Sequence, residues 1–125
     1  MIMAPILQNA QTKYRRGEVV LAYFPDSNGT TSKARPVLIV QANDLQTGIE
    51  QIVVATITSN IRRAGHPSRI MILLASLEGI NSGLARDSVL MTDSIATIAR
   101  SEIDYAIGFL PMPPVEAALR HTFGF

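Results

Sequence analysis

The chain has 125 residues, of which 47% are hydrophobic and 17% charged, and its formal net charge is +1. This length is typical of one compact domain with a core that needs no covalent staple. Cysteine is absent and histidine occurs twice, which excludes disulfides, thiolate metal sites, cysteine nucleophiles and a histidine-rich metal cluster. The longest apolar runs have six residues, against the roughly 20 that a membrane-spanning helix needs.

Residues 1–16 are expected to form an extension ahead of the domain. The extension begins with a short apolar stretch, and the basic residues Lys13, Arg15 and Arg16 follow it, whereas a secretory signal carries its basic residues in front. Together with the lack of cysteine, this order predicts a cytoplasmic protein. Residues 17–125 are then expected to form a single domain.

Strands are predicted to dominate that domain. Runs rich in Val, Ile and Leu, bounded by turn residues, predict five of them: Glu18–Phe24, Pro36–Gln41, Gln51–Thr58, Arg69–Leu74 and Ser88–Thr92. These runs are nearly continuous in apolar residues rather than alternating, which is typical of strands covered on both faces, as in a small closed barrel.

Helical structure is predicted only after the fifth strand. A short helical turn is expected at Ser101–Tyr105, and a helix at residues 113–122, which begins with two prolines and is followed by Gly124. Glu116 near the start of this helix and Arg120 near its end complement the helix dipole. The predicted fold class is therefore mainly β: an SH3-like small barrel with a C-terminal α-helix and a short helical turn.

The charges are unevenly distributed along the chain. Residues 1–70 carry eight basic and four acidic side chains, whereas residues 71–125 carry three basic and six acidic ones. Such an imbalance suits an anionic ligand on one face, although on charge alone the favoured explanation is ordinary scatter of surface charge.

No phosphate-binding glycine loop, metal motif or Ser-His-Asp pattern occurs. A polar set remains at two strand ends. Pro36 holds Arg35 in an extended conformation where a polar loop, Ser27–Pro36, enters a strand, and Thr56 and Thr58 share one face of the next strand. A guanidinium with hydroxyl groups suits phosphate. The alternative is that Arg35 forms a salt bridge and Thr58 caps a strand edge.

Four segments in one consistent order resemble the MazF/PemK family of toxin endoribonucleases. The first consists of residues 16–20 (RGEVV) and residues 34–41 (ARPVLIVQ) with the polar loop between them. The second is residues 54–60 (VATITSN), the third residues 86–98 (RDSVLMTDSIATI) and the fourth residues 116–120 (EAALR). The resemblance covers residues 16–125.

This resemblance implies an SH3-like barrel that forms a homodimer and cleaves single-stranded RNA without a metal ion or other cofactor. It also implies a cognate antitoxin protein as a second partner. The family's catalytic arginine matches Arg35, and its catalytic threonine or serine matches Thr58.

The RNA itself supplies the nucleophile in this chemistry, its 2′-hydroxyl group. Arg35 is expected to stabilise the anionic transition state and Thr58 to donate a hydrogen bond to a phosphoryl oxygen. His66 is a candidate general base. Further RNA-binding residues are predicted among the polar and basic side chains near these strand ends: Lys33, Thr56, Ser59, Asn60, Arg62, Arg63 and Arg69. The alternative function is a catalytically inactive module of the same fold that binds RNA or the antitoxin.

Overall fold

The computed structural model describes residues 13–25 and 32–125. Six strands and two α-helices make up this part of the chain. The strands are β1 (Glu18–Pro25), β2 (Ser32–Ile39), β3 (Gln51–Thr58), β4 (Arg69–Ile72), β5 (Ser88–Ala99) and β6 (Ile103–Phe109). The helices are α1 (Leu77–Ser82) and α2 (Met112–Phe123), and single 3₁₀ turns lie at Ile61–Arg63 and Arg100–Glu102. The predicted mainly β class with a terminal helix is confirmed.

All six strands belong to one antiparallel sheet, in the order β4-β5-β3-β2-β1-β6. Hydrogen bonds do not close the described sheet into a complete barrel, because β4 and β6 remain its two edges. Helix α1 follows β4 and packs against β6. It approaches so closely that a Cβ atom at Gly83 would overlap the main-chain oxygen of Ile107, and one at Gly108 would overlap the main chain of Ser82. Glycine is therefore required on both sides of this contact, which we call the glycine seam.

The core is divided between the two faces of the curved sheet, as the continuous apolar runs predict. Alternation along β3 places Ala55 and Ile57 in one cluster and Ile52 and Val54 in the other. The first core cluster is completed from α2 by Val115, and the second from β6 by Ile103. These β-branched residues pack well on a pleated surface, which is why the sequence forms strands here.

Strand β5 is bent between its first part, which pairs with both β4 and β3, and its later part, which pairs with β3 alone. Its pairing with β3 shifts between Ala55 and Thr56, so that β5 carries three extra residues, 92–94. Thr92 is fully buried at this bend, and its hydroxyl donates to the main-chain oxygen of Ser68 at 2.7 Å. The hydroxyl of Thr122 in α2 lies 2.7 Å from that of Thr92. This hydroxyl cluster fixes the terminal helix to the sheet.

The structure corrects several predicted boundaries in the second half of the chain. The helical turn expected at Ser101–Tyr105 ends at Glu102, and the rest of that segment belongs to β6, which pairs with β1. Strand β4 ends at Ile72, because the next segment turns away and Asp87 accepts the amide hydrogen of Leu74. Strand β5 continues to Ala99. Helix α1 was not predicted.

Strand β2 begins earlier than expected. The sequence predicts a polar loop at Ser27–Pro36, but Ser32–Pro36 already pairs with β1, and Arg35 lies opposite Ala22. Lys33 and Arg35 are therefore strand residues rather than loop residues. Residues 26–31 of that loop and residues 1–12 of the expected extension lie outside the described residues. Tyr14, at the end of the extension, packs against the second core cluster.

Neither α-helix in the described part of the chain is long and apolar enough to span a membrane.

Candidate active site

A cleft of about 500 Å³ lies where β2, β3 and the loop before β5 meet. Polar and basic side chains of this cleft are Arg35, Thr56, Thr58, Ser59, Arg86 and Ser88, and its apolar lining is Pro36, Ile57, Leu84, Ala85 and Met91. Four residues predicted from the sequence to act on RNA, namely Arg35, Thr56, Thr58 and Ser59, therefore share one cleft.

The register of the sheet explains why Arg35 and Thr58 meet. Strands β2 and β3 are antiparallel, with Val37 opposite Thr56 as the last hydrogen-bonded pair. Continuing this register by two residues places Arg35 opposite Thr58. Side chains of directly opposed residues project from the same face of a sheet, with Cβ atoms roughly 5 Å apart. Arg35 is exposed and Thr58 half-buried, so both are open to a ligand in the cleft.

The hydroxyl group of Thr58 is held by the turn that follows β3. Its oxygen accepts the amide hydrogen of Asn60 at 3.1 Å. A hydroxyl group has one hydrogen to donate, and no acceptor for this hydrogen is found among the described residues. Thr58 therefore caps the end of its strand, which the sequence analysis gave as the alternative to phosphate binding. Its hydroxyl hydrogen can still be donated to a phosphoryl oxygen.

Thr56 also lines the cleft, but its hydroxyl oxygen is buried and has no hydrogen-bond partner. Contact of this oxygen with a ligand requires rotation of the side chain about χ1 to another staggered position.

Arg86 is a cleft residue that sequence reasoning did not propose as a functional residue. It is exposed in the loop between α1 and β5, and its main-chain oxygen accepts a hydrogen bond from the hydroxyl of Ser88 at 2.8 Å. The next residue, Asp87, accepts the amide hydrogen of Leu74 at 2.8 Å. These two hydrogen bonds fix the end of the loop, at Arg86 and just after it. In the sequence, Arg86 is one of three arginines in the acidic half of the chain and the first residue of a segment that resembles the family.

The other predicted RNA-binding residues lie outside the cleft lining. Lys33 is exposed on β2, two residues before Arg35. The side chain of Asn60 accepts the amide hydrogen of Arg62 at 3.3 Å and so caps the 3₁₀ turn that carries Arg62 and Arg63. Both arginines are exposed.

Arg69 is occupied by an ion pair at the start of β4. Two of its guanidinium nitrogens contact the Asp93 carboxylate, at 2.7 and 3.3 Å, and a third donates to the main-chain oxygen of Arg63. The hydrogen bond from Arg69 holds the pKa of Asp93 below its ordinary value, and the positive charge acts in the same direction. This pair connects β4 to the bend of β5.

His66 precedes β4 and does not line the cleft. Its Nδ1 accepts the amide hydrogen of Ser68 at 3.1 Å, which leaves Nε2 as the second ring nitrogen. The ring meets that of His121 edge-on, with 5.8 Å between centroids. Among residues 13–25 and 32–125, no group of three or more His, Cys, Asp or Glu side chains is arranged to hold a metal ion.

Comparison with known proteins shows the family to which the chain belongs and agrees with this fold. Residues 15–122 match the family model described as PemK-like, MazF-like toxin of type II toxin-antitoxin system. The chain is 29% identical over 102 residues to Endoribonuclease MazF6 of Mycobacterium tuberculosis and to Endoribonuclease MazF2 of Mycobacterium bovis, covering 78% of this chain and 85% of each relative.

Solved structures show the same fold. The Mycobacterium tuberculosis toxin MazF-mt6 superposes with a TM-score of 0.67 and 26% identity, covering 86% of this chain and 97% of that one. A mycobacterial endoribonuclease in complex with its cognate antitoxin gives a TM-score of 0.68 at 21% identity, covering 90% and 96% of the two chains.

The antiparallel sheet and the cleft lined by an arginine and a threonine define a small, mainly β protein whose cleft chemistry suits a phosphate-containing ligand. The extent of the family match makes the assignment specific: the chain belongs to the PemK-like, MazF-like toxins of type II toxin–antitoxin systems. The resemblance found in the sequence and the predictions of a toxin and an endoribonuclease are confirmed.

Proposed function

We propose that this toxin cleaves single-stranded RNA, mRNA in the cell, by attack of a 2′-hydroxyl group on the adjacent phosphate, with Arg35 and Thr58 as the catalytic residues and without a metal ion. The observation that carries this proposal is that Arg35 and Thr58 line one cleft, where the register of β2 and β3, continued by two residues, brings them opposite each other. A guanidinium fork and a hydroxyl donor on the same face of the sheet suit the two non-bridging oxygens of a crowded phosphorane and its leaving 5′-oxygen.

The proposed reaction requires a proton acceptor, a proton donor and stabilisation of negative charge. The 2′-oxygen forms a bond to phosphorus and loses its proton to a general base, and the bond from phosphorus to the 5′-oxygen breaks as that oxygen gains a proton. Arg35 stabilises the developing negative charge and is placed to protonate or hydrogen-bond the leaving oxygen. Thr58 donates to a non-bridging oxygen, because its own oxygen already accepts from Asn60. The products are a 2′,3′-cyclic phosphate and a 5′-hydroxyl end.

His66 is proposed as the general base. The two arginines are the only titratable side chains among the described residues of the cleft, so the base must reach the substrate from outside this lining. His66→Asn is the sharpest test, since the amide oxygen can still accept from Ser68 while the second ring nitrogen is lost. We expect a loss of about 10²–10⁴ in rate if His66 removes the proton.

The remaining polar residues are proposed to hold the RNA on either side of the cleft. Ser59 and Thr56 line the cleft itself. The others form an exposed polar and basic surface near the ends of β2 and β3, in which Arg69 contributes charge while it stays bound to Asp93. These residues are Lys33, Asn60, Arg62, Arg63 and Arg69. Such contacts position the RNA backbone without reading its sequence.

Two protein partners are proposed, a second copy of this chain and a cognate antitoxin. A solved structure of similar fold is an endoribonuclease in complex with its cognate antitoxin. The described surface carries large exposed apolar side chains that a protein partner would cover, including Leu77, Ile80, Phe123 and Phe125. We also propose a cytoplasmic location, where both mRNA and the antitoxin are synthesised.

The activity is tested with purified, antitoxin-free protein and a long unstructured RNA in EDTA. We expect discrete fragments with 2′,3′-cyclic phosphate ends, and no cleavage of DNA of the same sequence, which lacks the nucleophile. Arg35→Ala should lower the rate by about 10²–10³, the usual effect of losing one donor aimed at developing charge. Arg35→Lys keeps the charge but loses the planar fork, so it should recover only part of the rate.

Arg120→Ala is the matched control, because Arg120 is an exposed arginine of α2 that does not line the cleft. It should cleave like the wild type. Cleavage that requires Mg²⁺, or that attacks DNA equally well, would contradict the proposed chemistry. Intact RNA after incubation with folded wild-type protein would favour the inactive binding module.

A further inference from the structure

Arg86 carries a guanidinium group with no hydrogen bond or ion pair among the described residues. Two other arginines near the sheet do form ion pairs, Arg16 with Glu116 and Arg69 with Asp93. The acid nearest to Arg86 in sequence is Asp87, and its carboxylate accepts the amide hydrogen of Leu74. The cleft thus contains a second guanidinium group, without a direct hydrogen-bond or ion-pair partner among the described residues.

The main chain on both sides of Arg86 is fixed, unlike that of an arginine on a loose surface loop. The Ser88 hydroxyl and the Asp87 carboxylate hold the end of the loop. Its start is held at Gly83, which has a φ of +72° and lies in the glycine seam against β6. A side chain presented from a fixed main chain loses less entropy when it binds a ligand than one on a mobile loop.

The order of the strands places Arg86 across the cleft from Arg35. Strand β3, which carries Thr58, lies between β2 and β5. Neighbouring strands are separated by 4.7–4.9 Å, so β2 and β5 are roughly 10 Å apart. Thr58 pairs with Val89, which follows Arg86 by three residues. An RNA strand that crosses these strand ends therefore meets Arg35, then Thr58, then Arg86.

The surroundings of Arg86 indicate which part of the RNA it contacts. Leu84, Ala85 and Met91 are apolar and suit the face of a base or a ribose. An arginine beside such a surface is placed to bind the phosphate that follows that nucleoside, in the bidentate geometry that guanidinium groups favour.

We infer that Arg86 is a substrate-positioning residue that binds the phosphate group next to the scissile one, on the β5 side of the cleft. This inference rests on the proposed function and assigns Arg86 to substrate binding rather than to the reaction step. Arg86 then determines how long an RNA must be for efficient cleavage, because a substrate without the neighbouring phosphate cannot use it.

The first experiment separates binding from chemistry. Wild type, Arg86→Ala, Arg86→Lys and the control Arg120→Ala are compared on an RNA oligonucleotide that spans one mapped cleavage site. Dissociation constants are measured on the same oligonucleotide with a 2′-deoxy scissile nucleotide, which binds but cannot react. We expect Arg86→Ala to weaken binding about tenfold with kcat nearly unchanged, and Arg86→Lys to recover most of the loss. The slope of log Kd against log[salt] should fall by about 0.7, the value for one phosphate contact in a single strand.

The second experiment identifies the phosphate. Single non-scissile phosphates of the oligonucleotide are replaced, one at a time, by neutral methylphosphonates. A replacement next to the scissile linkage should weaken binding by the wild type and have no effect on Arg86→Ala, since both changes remove the same interaction. Equal losses in both proteins at every position would overturn the inference.

Failure of the inference and failure of the proposed function have different signatures. If wild type cleaves, Arg35→Ala does not, and Arg86→Ala behaves like Arg120→Ala, then only the role of Arg86 is wrong. A fall in kcat with unchanged binding in Arg86→Ala would also overturn it, because the residue would then act on the scissile phosphate. If the wild type binds RNA and never cleaves it, the proposed function fails, while the methylphosphonate experiment still tests Arg86 through binding alone.

Discussion

Replacement of Thr58 by valine tests the site most directly, because one hydroxyl group has two separable tasks. Its oxygen accepts the amide hydrogen of Asn60 at 3.1 Å, and its hydrogen is proposed to bind a phosphoryl oxygen. Valine has nearly the same shape and removes both interactions. Serine retains the hydroxyl group and loses only a methyl group. The two variants, Thr58→Val and Thr58→Ser, therefore form a matched pair.

The expected magnitudes differ for the two tasks. The hydrogen bond to Asn60 lies at a solvent-exposed turn, so its loss should lower the free energy of unfolding by about 0.5–1.5 kcal/mol. Loss of a donor aimed at developing charge costs about 2.7–4 kcal/mol of transition-state stabilisation, a factor of about 10²–10³ in kcat. Thr58→Val should thus remain folded at 25 °C while its rate of RNA cleavage nearly disappears.

The assay is single-turnover cleavage of an end-labelled RNA with enzyme in excess, together with urea unfolding of each protein. Thr58→Ser should retain a rate within about tenfold of the wild type. If Thr58→Val cleaves at nearly the wild-type rate, the hydroxyl group does not stabilise the transition state. If Thr58→Ser is as slow as Thr58→Val, the methyl group or the shape of the turn matters instead.

Three further predictions concern the framework that holds the cleft. Gly83→Ala should lower the free energy of unfolding by about 3 kcal/mol or more, since the new methyl group overlaps the main chain of β6. Gly48→Ala, at a similar positive φ but in open space, should cost only about 1–2 kcal/mol, and equal losses in urea unfolding would refute the overlap. Thr92→Val should cost about 0.5–1.5 kcal/mol for each hydrogen bond lost in the same assay, because valine cannot replace the bonds of the buried hydroxyl group to Ser68 and Thr122; an unchanged midpoint would contradict this. Because Arg69 lowers the pKa of Asp93, their pairing stabilises the fold above about pH 4 and this contribution is lost as the pH falls through the lowered pKa. The difference in stability between wild type and Asp93→Asn should therefore shrink below about pH 4, and a difference independent of pH would show that the pair has no such role.

Local patterns were sufficient to predict some elements fully. Strand β3 has the predicted bounds, Gln51–Thr58, because its apolar run is continuous and turn residues lie on both sides. The terminal helix was predicted to within a residue, since its prolines and Gly124 mark both ends. The core on two faces followed from the same runs, which leave little room for polar residues.

The elements that were missed depend on distant contacts. Strand β6 has only Ile103 fully buried and pairs with β1 through two register shifts, so its residues show no clear alternation. Helix α1 has six residues and two caps, Ser76 and Gly83, with too short a span for any helical periodicity. Propensity is a weak signal in such segments, and tertiary packing decides the structure.

The candidate site likewise contains residues that local sequence patterns predict and residues that only the folded structure brings there. Arg35 and Thr58 could be found in the sequence because their residue types and strand-end positions suit phosphate chemistry. Arg86 could not, since its place beside them depends on the insertion of β3 between β2 and β5, which no local pattern encodes. The burial of the Thr56 hydroxyl and the engagement of Arg69 by Asp93 are likewise properties of the folded sheet.

The glycine seam has a consequence for local opening of the molecule. The contact between α1 and β6 is made by main-chain atoms at Gly83 and Gly108, so few side chains interlock there to resist separation. The segment from Ser76 to Asp87 is hydrogen-bonded to Leu73 and Leu74, which follow β4 directly, so we expect it to open together with the β4 edge as one cooperative unit. Amide hydrogen exchange of this segment would then be faster than that of β2 and β3. Amide hydrogens in the loop before β5, on one side of the cleft, would exchange through such openings. Those of β2 and β3, on the opposite side and at the centre of the sheet, would exchange only through global unfolding.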